Sequence, residues 1–156
     1  MDATGSKSKK RSDASSKPRE SLTFFLDRAL GNKVIANALR ATGADVRVHN
    51  DHFAQDARDE EWLVQVAQQG WIILTKDTRI RYHTVERNAL INSRARAFVL
   101  VSGNLSGQEM AQISVKALPA IRKFVAQHSP PFIAKVYKDG TIRQLNILQE
   151  SQPTDR

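Results

Sequence analysis

The chain has 156 residues, 40% of them hydrophobic, which fits one domain of ordinary size with its own core. It has no cysteine, which excludes disulfides and thiolate metal sites, and no apolar run approaches the roughly 18 residues of a membrane span, so a soluble protein of the reducing cytoplasm is expected. The net charge of +8, of which +3 falls in residues 1–21 and +5 in the remainder, makes a polyanion a plausible partner.

Residues 1–21 are rich in Ser, Lys and Asp and carry no large apolar side chain after Met1. They cannot bury enough surface to offset the entropy of ordering, so they read as a disordered basic tail, and residues 149–156 read as a second disordered tail. A folded domain is expected over residues 22–148.

Within it, "LTFFL" (22–26) is an apolar run of strand length, and "NKVIANALRATG" places Val34, Ile35, Ala38, Leu39 and Thr42 at helical spacing before a Gly43 stop. "ADVRVH" alternates as a short strand, "DHFAQDAR" reads as loop, and "DEEWLVQVAQQG" reads as a helix whose acidic first turn suits the helix dipole. "WIILT" is a third strand. After a charged connector and a helix around residues 85–91 comes a fourth strand, "RAFVLVS". The long helix "SGQEMAQISVKALPAIRKFVAQH" follows, with a kink expected at Pro119. "FIAKVYKDGTIRQLNIL" closes the domain, and its Asp139-Gly140 pair between alternating runs signals a hairpin. Strands alternating with helices predict an α/β fold: a three-layer αβα sandwich around a mostly parallel sheet, with the C-terminal hairpin as its edge.

In open sheets of this kind ligands bind beyond the carboxyl ends of the strands. The first strand ends "FFLD", which places Asp27 at that edge, and the third ends "ILTKD", which places Asp77 there. Asp59 opens the helix leading into strand three, with Glu60 or Glu61 as alternatives if Asp59 is spent as the helix N-cap. Carboxylates that meet at one edge repel unless protons or a cation hold them. A hard ion such as Mg²⁺ or Mn²⁺ resolves that conflict and supports phosphodiester hydrolysis, with a basic rim to attract nucleic acid.

"FFLDRAL", "DEEWL" and "ILTKDTRI", in that order, resemble the PIN-domain ribonucleases, in particular a short bacterial PIN-like subgroup related to VapC toxins. The resemblance spans residue 22 to about residue 145. It implies an αβα sandwich, metal-dependent endoribonuclease activity, Asp27, Asp59 and Asp77 as catalytic metal ligands around Mg²⁺ or Mn²⁺, and a cognate antitoxin; related toxins often form homodimers. Two positions depart from the pattern: Arg28 stands where relatives often carry an acid after the first aspartate, and "TKDTR" stands where many have "TxDxD". Arg28 and Arg79 are therefore candidates to grip substrate phosphate or to neutralise the acids. Lys76, Arg79, Arg81 and Tyr82 interleave cations with an aromatic ring, a pattern suited to single-stranded RNA.

Two other readings share these residues. A receiver-like phosphoacceptor domain would use Asp27, Asp77, Ser102 and Lys135. A PIN-like module that has lost its chemistry would bind RNA or protein without cutting. Ser102 and Asn104 fall at the same predicted edge, but Ser-Gly-Asn is also ordinary turn chemistry. His49, Asp51 and His52 lack the helical i, i+4 spacing of a zinc site and are expected on a strand end and surface loop. His83 is expected on a solvated connector.

Overall fold

The computed structural model describes residues 22–31, 33–101 and 103–147; both expected tails, and Ser102, lie outside these residues. Six strands form one sheet: β1 (Thr23–Leu26), β2 (Asp45–Val48), β3 (Ile72–Thr75), β4 (Arg96–Leu100), β5 (Phe132–Val136) and β6 (Ile142–Leu145). Their order is β2-β1-β3-β4-β5-β6, with β1 to β5 parallel and β6 antiparallel to β5.

Side chains alternate across a strand, and both faces of the inner strands are covered, which is why β1, β3 and β4 read as apolar runs. Phe24, Leu26, Ile72, Leu74, Phe98 and Ala134 feed the core beneath α1 (Val34–Ala41) and α6 (Gly107–Gln127). Phe25, Ile73, Ala97, Val99 and Ile133 feed the opposite core, beneath α3 (Asp59–Gln68) and α5 (Thr84–Ser93). The expected αβα sandwich is therefore present.

Local signals account for the ends of several elements. A capping box opens α6, in which the Ser106 hydroxyl accepts from the Glu109 N–H and the Glu109 carboxylate accepts from the Ser106 N–H. The hairpin turns at Gly140, whose φ of +87° favours glycine, and the Asp139 carboxylate accepts from both the N–H and the hydroxyl of Thr141.

α6 continues through Pro119. Pro119 is exposed, so the Val115 carbonyl that lacks its usual donor is on the side that water can reach. Two expectations need correction. The segment expected as strand end and loop at residues 49–52 is a one-turn helix, α2 (His49–His52), and His49 is buried, not a surface histidine. The connector after β3 is also partly helical, with α4 (Arg79–Tyr82) directly before α5 and the intervening His83 exposed.

After β1 the chain crosses to β2 on one side and returns to β3 on the other, so the strand order reverses between β1 and β3. Loops leaving two such strands part from one another and open a crevice at their carboxyl ends. That is where Asp27 and Asp77 lie.

Candidate active site

Asp27 follows β1 directly, and its N–H donates to the Leu74 carbonyl (3.0 Å), which continues the sheet ladder one residue past the strand. The residue is 6% exposed. Its carboxylate accepts from the Thr75 hydroxyl (2.7 Å), and the same hydroxyl accepts from the Asp77 N–H (3.0 Å). One buried side chain at the end of β3 thus fixes both aspartates. Burial pushes the Asp27 carboxyl above its usual range, and the charge of Asp59 adds to this; the Thr75 hydrogen bond and the charge of Arg28 oppose it.

Asp59 sits in the first turn of α3, whose N-cap is Arg58 and not Asp59 itself. Its carboxylate is therefore free of capping duty. It accepts from Arg28 Nη2 (3.1 Å) and from the Trp62 indole N–H one helical turn later (3.0 Å). Glu60 lies nearest Arg58, with Nε at 3.4 Å, and does not line the crevice. Asp77 accepts from the Arg79 N–H (3.0 Å) and from its guanidinium, which holds the Asp77 carboxyl below the usual range.

Asp27, Asp59, Asp77 and Glu86 line one cavity of about 10 Å³, floored by Trp62, Leu63 and Ile80. That is room for about one water-sized sphere. Among the described residues no group of three acidic or histidine side chains is close enough to share an ion; Arg28 pairs with Asp59, and Arg79 with Asp77. The donor chemistry nevertheless fits a hard cation. Asp27 is a buried carboxylate that makes no ion pair among the described residues, and two further acids face the same space.

Two participants were not foreseen from the sequence. Glu86, in the first turn of α5, has a side chain only 16% exposed and lines the acid cavity, with His83 Nδ1 at 3.5 Å from its carboxylate. Its signal was available as an acid at a helix start following the Asp77 motif. His49 is buried, with Nε2 3.3 Å from Arg28 Nη1, and burial followed by the Arg28 charge lowers its pKa, which favours the neutral ring as acceptor. Arg28 also donates to the Ala57 carbonyl (2.9 Å), so one guanidinium ties β1 to α2, to the loop before α3 and to Asp59.

The other expected residues are dispersed. Lys76 is half-buried, Asn104 is exposed, and neither lines the acid cavity. Lys135 lies on β5 and lines a different cavity with Arg81.

Replacing Thr75 with valine keeps the shape and removes both of its hydrogen bonds, so a loss of about 1–3 kcal/mol in urea denaturation is expected, with Thr75→Ser close to wild type. The loss should be greatest where Asp27 is ionised and should shrink as pH falls through its folded pKa; a pH-independent loss would mean that the hydroxyl serves packing alone.

An αβα sheet with acids gathered at its switch point and a basic surround defines a class, and comparison with known proteins names it. The model of the family described as "PIN like domain" matches residues 22–102, just over half of the chain, and the protein belongs to this PIN-like family. It is also similar to the protein named "Putative ribonuclease VapC45" of Mycobacterium tuberculosis (strain ATCC 25618 / H37Rv), at 30% identity over 126 residues that cover 78% of this chain and 91% of that protein. No solved structure matches the chain.

Proposed function

We propose that the protein is an endoribonuclease that hydrolyses RNA phosphodiester bonds with Mg²⁺ or Mn²⁺, and that it is the toxin of a toxin-antitoxin pair. The observation that carries this reading is Asp27, a buried carboxylate that makes no ion pair among the described residues, converging with Asp59 and Asp77 on one cavity in a PIN-like chain similar to a named ribonuclease.

In this reading Asp27, Asp59 and Asp77 hold the ion. The bound cation supplies activation of water and neutralisation of charge on the phosphodiester. Thr75 keeps the Asp27 carboxylate facing the cavity, and the apolar floor of Trp62, Leu63 and Ile80 limits bulk water there. Arg28 pairs with Asp59 and Arg79 with Asp77, and each has a guanidinium suited to a phosphate. Arg79, whose side chain is 58% exposed, is the easier of the two to release. Lys76 and Arg81 extend the cationic rim along the RNA.

The cytoplasm is the proposed setting; among the described residues no helix is long and apolar enough to cross a membrane. An antitoxin protein and a second copy of the chain are the proposed protein partners.

The test is cleavage of single-stranded RNA by the purified full chain with Mn²⁺ or Mg²⁺, and again with excess EDTA. Cleavage that needs the metal is expected, together with a rise in melting temperature on adding Mn²⁺. RNA binding without cleavage under any metal would instead support the inactive module, a reading that the arginine-paired Asp59 and Asp77 favour. Stable aspartyl phosphorylation by a small phosphodonor would support the receiver, although Lys135 lies outside the acid cavity.

A further inference from the structure

A second cavity, of about 230 Å³, opens on the same side of the sheet as the acids and next to them: Asp77 lines the first cavity and Thr78 the second. Its floor is apolar, formed by Val99 of β4 and Leu145 of β6. Two tyrosines flank it. Tyr82 comes from the end of α4 and is 57% exposed; Tyr137 follows β5 two residues after Lys135, which puts both on one face.

Each ring carries its own cation. The Arg81 guanidinium carbon lies 5.0 Å from the centre of the Tyr82 ring, the Arg81 Nη1 N–H donates to the Tyr82 hydroxyl (2.9 Å), and the Lys135 ammonium lies 5.4 Å from the centre of the Tyr137 ring. No acidic residue lines the cavity among the described residues.

An apolar floor, two aromatic walls and a cationic rim describe a site for a flat, uncharged ring attached to an anionic backbone. The volume lies below the roughly 300–1,000 Å³ of pockets that enclose a whole small ligand, so it suits one ring projecting from a longer chain. Nucleobases stack on aromatic side chains whatever their sequence, while lysine and arginine follow the phosphates.

We propose that this cavity takes one base of single-stranded RNA, held against Tyr82 and Tyr137, with Arg81 and Lys135 meeting the adjoining phosphates. The inference rests on the ribonuclease reading and adds to it a base subsite beside the acid cavity. A strand whose base is seated there runs its backbone past Asp77.

The experiment uses the full chain carrying Asp27→Asn, to prevent cutting, and a short single-stranded oligoribonucleotide containing 2-aminopurine. Tyr82→Ala and Tyr137→Ala are each expected to weaken binding about tenfold, the scale of one lost base stack, and to reduce quenching of the 2-aminopurine, whereas Tyr→Phe at either position stays within about twofold. Melting temperatures check the fold; if Tyr137→Ala unfolds the chain, the exposed Tyr82 carries the test.

Unchanged affinity and quenching in the alanine variants overturns the subsite and leaves the cavity to another occupant, such as a segment of a protein partner. Cleavage by the otherwise wild-type chain separates the two levels. If it cuts RNA and Tyr82→Ala leaves KM unchanged, only the subsite falls. If it neither cuts nor binds RNA, the ribonuclease reading falls and the subsite with it.

Discussion

Asp27→Asn should abolish RNA cleavage, by about 100-fold or more, while making the folded protein more stable. The two effects have one cause. Asp27 is buried, with a pKa raised by loss of hydration and by the neighbouring Asp59. A folded-state pKa above the unfolded value means that the native state holds the proton more tightly. Stability from this group is therefore fully present below the unfolded pKa and is lost as pH rises through the folded pKa, so at neutral pH the ionised carboxylate opposes folding.

Asparagine keeps an oxygen to accept from Thr75 and removes the charge. A rise of roughly 2–4 °C in melting temperature is expected, the shift produced by about 1 kcal/mol in a chain of this size. The gain should be seen at pH 7 and vanish in acid, where the native aspartate is protonated as well. Added Mn²⁺ should raise the melting temperature of the wild type but not of the variant. A variant that is less stable than wild type at pH 7 would contradict the burial cost of the Asp27 charge, and one that still responds to Mn²⁺ would remove Asp27 from the role of ion holder.

The second large effect is on stability. Phe25 is completely buried, and its ring meets those of Trp62 (5.3 Å between centroids), Phe53 (5.8 Å), Trp71 (6.1 Å), His49 (6.2 Å) and His52 (6.5 Å). The cluster fastens α2 and α3 to the sheet directly behind the acids. Phe25→Ala should cost about 3–5 kcal/mol, combining lost burial with the cavity left among stiff aromatic neighbours. Phe25→Leu, which fills much of the space, should cost less.

Trp62 and Trp71 are the only tryptophans in the chain, so their fluorescence reports on this cluster during urea denaturation. Trp62 also donates to Asp59, so activity should fall in Phe25→Ala even where the protein remains folded. A loss below about 1 kcal/mol would mean that the rings relax to fill the gap.

The parts of the molecule that were legible in the sequence are those written in local pattern. Apolar runs marked β1, β3 and β4, and the rule that ligands gather beyond parallel strand ends pointed from them to Asp27 and Asp77. Glycine and aspartate chemistry marked the hairpin. What local pattern does not carry is the partner of a polar side chain.

Arg28 follows Asp27 in sequence, yet its contacts lie 21 to 31 residues away, at His49, Ala57 and Asp59. His49 looked like a loop residue because nothing nearby indicates that Phe25 and Trp62 will enclose it. Glu86 falls in the helix expected around residues 85–91, but its burial depends on how α5 packs against α3. The strand order, with β1 between β2 and β3, was likewise out of reach, since the backbone N–H and C=O groups on either edge of β1 can pair with a neighbour.

The hydrogen bond from Thr75 to Asp27 closes a loop of 48 residues, the longest sequence span among the contacts that build the acid cavity. Contacts this distant form only after the entropy of closing the intervening chain has been overcome, so they belong to the later stages of folding. A chain emerging from synthesis or partly unfolded has the individual acids but not their convergence, and in the proposed function it harms no RNA. Thr75 thus couples the appearance of activity to completion of the fold.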